Sequence, residues 1–175
     1  MKALKQFSIP FTGLKLGRHQ FEFDIDKRFF DAFEYSLVKD GNLKVTLDLD
    51  KQETMLILHF LIEGTIQLNC DTCLAAFAQP VEIRERQIVK FAEDELESDD
   101  LEIMVLSKKE SEIDVSALIY EYITVAVPYV NKCEQAGQTC DQEMISTLNK
   151  LAGRSTEQEE EKNDDPRWAA LKKLK

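Results

Sequence analysis

Between residues 43 and 50 the chain alternates with a period of two: Leu43, Val45, Leu47 and Leu49 are interleaved with Lys44, Thr46, Asp48 and Asp50. Successive side chains of an extended chain leave opposite faces, so this order makes one face apolar and the other wet. A helix would scatter the same residues around its circumference. Phe21, Phe23 and Ile25 repeat the pattern against Glu22, Asp24 and Asp26. Met55 to Ile62 is apolar apart from His59, which predicts a strand buried on both faces, and Ile66 to Leu68 continues it past Gly64. Val81 to Phe91 is a further strand candidate. Asp40-Gly41-Asn42 is a turn signal, and Lys51-Gln52-Glu53 suits a hairpin. Between the early strands, residues 27–38 have Phe29, Phe30, Phe33 and Leu37 at helical spacing.

The second half changes period. Asp114 can cap a helix whose apolar positions are Val115, Leu118, Ile119, Tyr122 and Ala126, with Pro128 at its end. Asp141 can cap another over 141–151, with Met144, Ile145, Leu148 and Leu151 on one face and Gly153 as its stop. Strands followed by helices, without βα alternation, predict an α+β fold: an N-terminal antiparallel β-sheet or partial barrel, then helices. We expect an α+β domain over 1–153, an acidic flexible linker over 154–164 and a basic amphipathic C-terminal helix over 165–175.

Charge narrows the function classes. The 175 residues carry a formal net charge of −11. The last eleven sum to +3, so the rest stands at −14. Phosphate backbones are held by Lys and Arg that displace counterions, so the body is a poor general nucleic-acid binder. Glu93 to Glu102 holds seven acids and no base, and the plain reading of such a run is a solvated loop. No apolar run reaches the ~18 residues of a membrane-spanning helix, and Met1 to Ser8 lacks the apolar core of a secretory signal, so a cytoplasmic protein is expected. No Ser/His/Asp arrangement, P-loop or Gly-rich phosphate cradle is present. The acidic run offers carboxylates for a metal-dependent nuclease, but without a base to orient phosphate. We therefore expect no catalytic residues. His19 reads as a surface histidine and His59 as a core or sheet-face one.

The four cysteines are the chemical motif. Cys70-Asp71-Thr72-Cys73 is a C-x2-C pair, and Cys133 and Cys140 form a second pair with six residues between them. Two close thiol pairs suit a structural Zn²⁺ with four sulfur ligands. C-x2-C is knuckle spacing, whereas the second loop is wider than usual; Gly137 within it would help the chain fold back. Four free thiols are the competing reading. A disulfide is disfavoured in a reducing cytosol, and the segment lacks the βαβ setting of a thioredoxin-type redox pair. A catalytic zinc would keep an open position and often a histidine ligand.

Asp165-Pro166-Arg167-Trp168-Ala169-Ala170-Leu171-Lys172-Lys173-Leu174-Lys175 is a helix prescription, with Asp165 as N-cap and Pro166 at the first helical position. Trp168, the only Trp of the chain, lies three residues from Leu171 and six from Leu174, on one apolar stripe. A helix this short is marginal alone and must dock, either on its own domain or on a partner. The partner reading makes Arg167, Trp168, Leu171, Lys172 and Lys173 the contact to protein or RNA.

In order, Cys70-x-x-Cys73-Leu74, Glu112-Ile113-Asp114-Val115 leading to Ala126-Val127-Pro128, Cys133, and the Asp165–Leu174 segment resemble the YceD family, named for large ribosomal RNA subunit accumulation. The resemblance runs from about residue 10 to the C-terminus. It implies a cytoplasmic bacterial protein without known catalysis, needed for normal 23S rRNA levels. Family genes commonly neighbour one for a small large-subunit ribosomal protein, and plant relatives act in chloroplasts. The expected partners are a large-subunit precursor, a ribosomal protein or rRNA. The alternative is a zinc- or redox-responsive regulatory binding protein acting through the cysteines.

Overall fold

The computed structural model describes residues 4–92 and 103–152. The acidic run 93–102, the linker 154–164, the C-terminal segment 165–175 and Gly153 lie outside the described residues.

The alternating stretches form one meander. Strands β2 (Gly17–Ile25), β3 (Gly41–Lys51), β4 (Met55–Asn69) and β5 (Ala76–Ala92) pair antiparallel in sequence order. In β3, Leu43, Val45, Leu47 and Leu49 are all buried, as the period of two requires. The β4–β5 hairpin is the longest element, with registers from Met55↔Lys90 to Asn69↔Ala76. At ~3.4 Å per residue its fifteen paired positions make a ribbon of about 50 Å. Its tip is the segment that carries Cys70 and Cys73.

Gly64 shows why the ribbon needs a glycine. Its φ is +148°, and a Cβ there would run into the Asn42 carbonyl and lie 2.7 Å from Leu43 Cα. Only a residue without a side chain lets β3 approach so closely.

Before and after the meander, β1 (Ser8–Ile9) pairs antiparallel with β7 (Ile113–Asp114) in a separate two-stranded sheet. Helix α2 (Ser116–Val125) follows. Asp114 accepts from the Ser116 backbone N–H at 2.8 Å, one position earlier than a regular N-cap. Leu118, Ile119 and Ile123 of α2 are buried, and Tyr122 meets Phe60 of β4 edge-on, with ring centroids 5.3 Å apart. One core therefore gathers the inner face of the sheet, α2 and the N-terminal Phe7, Ile9 and Phe11. Helix α3 (Gln142–Leu151) is capped by Asp141, which accepts from the Glu143 and Met144 N–H groups, as its sequence predicts. Met144 and Ile145 pack on the core, while Leu148 and Leu151 are exposed.

Three expectations are corrected. Met55–Ile62 is not buried on both faces: Leu56, Leu58, Phe60 and Ile62 point inward, and His59 is exposed between Asp48 and Arg86. No layer covers the outer face here among the described residues, so an unbroken apolar run does not by itself mean two-sided burial. The predicted 27–38 helix is one turn, α1 (Lys27–Phe30), followed by successive tight turns to Ser36. Phe29 and Phe30 are both buried, though adjacent, and Val38 is buried while Leu37 is 72% exposed. Burying that set takes an irregular chain, because no helix face contains it. Finally, the sheet is not purely antiparallel: β6 (Ile103–Ser107) adds to its edge parallel to β5. This strand was not recognised in the sequence.

Candidate metal centre

Two hydrogen bonds close the hairpin tip: Cys70 N–H donates to the Ala75 carbonyl and Leu74 N–H to the Cys70 carbonyl, both at 2.9 Å. Leu74 takes a left-handed φ of 61°, which returns the chain to β5 within this short loop. Both cysteines are turned inward and buried.

The second pair sits on the segment after α2. Cys133–Ala136 is a short 3₁₀ turn, ended by Gly137 at φ 70°. Gln138 N–H then donates to the Cys133 carbonyl at 2.9 Å, so the six-residue loop folds back and brings Cys140 alongside. Gly137 thus serves the reversal expected of it. Asp71 locks the two halves together: its N–H donates to the Asn131 carbonyl, and its carboxylate accepts from the Asn131 N–H, each at 2.8 Å. Gln138 adds a side-chain bond to the Ala78 carbonyl at 3.4 Å. Neither Asp71 nor Asn131 was singled out in the sequence, since their pairing spans 60 residues and leaves no local signal.

All four sulfurs lie within 4.8 Å of one another. Cys70 Sγ is 3.8 Å from Cys140 Sγ, and Cys73 Sγ is 3.7 Å from Cys133 Sγ. These are not disulfide distances; a bonded pair stands ~2.05 Å apart. They match the edge of a zinc–thiolate tetrahedron, because Zn–S bonds of ~2.3 Å at tetrahedral angles place the sulfurs about 3.8 Å apart. Cys70, Cys73 and Cys133 are buried and Cys140 is half-buried.

The electrostatics fit a cation as well. Backbone N–H groups converge on Cys70: that of Cys73 chiefly, with those of Cys133 and Thr72, pulls its thiol down to about 6 against the effect of burial. Burial and the neighbouring thiols push Cys133 up to about 12 and raise Cys140. Burial first, and then the nearby thiols, thus oppose a second charge at Cys133 and Cys140. A divalent cation at the centre would relieve that conflict and complete a closed four-sulfur set without an open position. The described residues thus bring together all four cysteines singled out in the sequence. The other predicted contact residues, Arg167, Trp168, Leu171, Lys172 and Lys173, lie outside them.

His19 bonds the Lys15 carbonyl at 2.8 Å on the surface, and neither it nor His59 belongs to the cluster. Among the described residues no helix is long and apolar enough to cross a membrane.

The family model described as "Large ribosomal RNA subunit accumulation protein YceD" matches residues 58–175, about two-thirds of the chain. The match starts within β4 rather than near residue 10, and it includes both cysteine pairs and the C-terminal segment. No curated protein and no solved structure is similar enough to match.

Proposed function

Because this chain belongs to the YceD family, we propose that it is a non-enzymatic cytoplasmic factor in ribosome biogenesis, supporting 23S rRNA accumulation by binding a ribosomal protein or a precursor of the large subunit. The family match carries this reading. The cysteine cluster supports its non-catalytic part: four thiols saturate a tetrahedral ion and leave no position for a substrate. The ion would be a structural Zn²⁺, clamping the hairpin tip to the segment after α2.

The acidic body suits a basic partner, such as an rRNA-binding protein, better than bare RNA. The basic C-terminal segment supplies the contact, with Trp168 and Leu171 as apolar anchors and Arg167, Lys172 and Lys173 facing acid or phosphate.

Sucrose-gradient sedimentation of cell lysate at low and high salt tests the reading. The protein should travel with large-subunit precursors and leave them as salt screens the basic contact. Trp168→Ala should weaken this co-sedimentation without changing the fold. Protein found only at the top of the gradient at every salt would refute particle binding, and an unchanged Trp168→Ala profile would refute the C-terminal contact.

A further inference from the structure

A groove of about 620 Å³ lies beside the cysteine loop, between the irregular segment after α1 and the segment after α2. Leu37, Leu68, Val127, Pro128 and Tyr129 give it apolar walls, and its charged lining is Asp40 and Asp71 against Lys39. Leu37 is 72% exposed and Tyr129 fully exposed; Tyr35 and the last residue of α2, Val125, close by in sequence though not in the lining, are also bare. Single exposed apolar side chains are ordinary, but several around one concavity mark a binding surface. Asn131 also lines the groove, and its side-chain oxygen is buried without a hydrogen-bond partner.

We propose that in the free protein this groove seats the chain's own C-terminal segment, Asp165–Lys175, with Trp168 as the anchor. The segment has the matching chemistry. Its stripe of Trp168, Leu171 and Leu174 needs an apolar seat, because a helix this short is marginal alone. Its net +3 meets a groove whose charged lining, Asp40 and Asp71 against Lys39, is net acidic. Trp168 also brings the only indole N–H of the chain, a donor that needs an acceptor once the ring is buried.

The tether reaches. Asp71 of the groove follows Cys70, whose sulfur is 3.8 Å from that of Cys140, and α3 runs from there for about 15 Å. Residues 152–164 then span up to ~45 Å extended, or about 20 Å as a flexible coil. A tether of this size presents the segment at roughly millimolar effective concentration, so a weak intrinsic affinity suffices. Docking concerns the free protein and stands without the ribosomal reading. If both hold, a ribosomal partner must take the segment out of the groove.

The single Trp makes the test direct. Tryptophan emission of the full-length protein should be blue-shifted and protected from acrylamide, equally at all protein concentrations. Leu37→Glu and Tyr129→Glu should each abolish the shift while circular dichroism and thermal midpoint stay unchanged, because both side chains are exposed. Emission of a solvent-exposed indole in the unmodified protein would overturn the proposal. So would a blue shift lost on dilution, which means docking on a second copy, or one indifferent to both substitutions. In gradients, Leu37→Glu should bind particles at least as well as the parent; loss of binding would make the groove a partner site and overturn docking in cis.

Discussion

Cys73→Ser tests the metal centre most sharply. Cys73 is buried and its sulfur is 3.7 Å from that of Cys133, 60 residues away in sequence. If the four thiols share an ion, they cross-link the chain across that interval. Closing a loop of this length removes about 14 cal/mol/K from the unfolded chain, or roughly 4 kcal/mol at 25 °C. That is a large part of the ~5–15 kcal/mol that holds a domain folded. At ~2–4 °C per kcal/mol for a chain of this size, losing the cross-link should lower the thermal midpoint by about 8–16 °C. The assay compares parent and variant, each with zinc and after a strong chelator, by circular dichroism melting and elemental analysis. The parent should hold one zinc per chain and lose the stated stability on chelation. The variant should start low and respond little to chelator, since serine nearly preserves the thiol's volume. A parent without zinc, or a Cys73→Ser penalty that is the same with and without metal, would refute the reasoning. Chelation that frees a bound partner while the domain stays folded would favour the regulatory alternative.

Two further perturbations probe the frame around the centre. Gly64→Ala should destabilise the protein by about 2 kcal/mol or more in urea unfolding, because its Cβ collides with the β3 backbone at a φ of +148°. A change under ~0.5 kcal/mol would mean that β3 and β4 do not pair in this register. Tyr122 should ionise near pH 12 in an absorbance titration, held up by burial and by Glu85 and Glu121. Its folded value exceeds the ordinary 10, so the folded state retains a proton that the unfolded chain gives up, and stability falls as pH rises through 10 to 12. Tyr122→Phe should remove that late titration step, and a profile unchanged by it would contradict the packing against Phe60.

Much of the frame was legible because its cause is local. The alternation in 43–50 depends only on neighbours two residues apart, and β3 buries the four residues it marks. Asp141 and the apolar face behind it gave α3 its start, because a cap is a bond between residues two or three apart. Local pattern misleads where a distant surface decides the outcome. Whether 55–62 is covered on one face or two depends on which layers lie against it. The Phe-rich stretch after Asp26 obeys the core it fills rather than a helical period. The short β6 has too little sequence to announce itself, and its parallel placement at the edge is set by β5.

By itself the sequence determined the faces of the alternating strands, the Asp141 cap of α3, the charge contrast between body and C-terminal segment, and the presence of four thiols in two pairs. Only the tertiary structure decided that these pairs meet. The β4–β5 register sends one pair to the end of a long ribbon, and α2, packed on the inner face of the sheet, delivers the other to the same place. The sequence left both zinc and free thiols open; sulfurs all within 4.8 Å, two pairs at 3.7 and 3.8 Å, are compatible with one shared ion. Periodicity acts over a few residues and can be read along the chain, whereas convergence across 60 residues exists only after the core has closed.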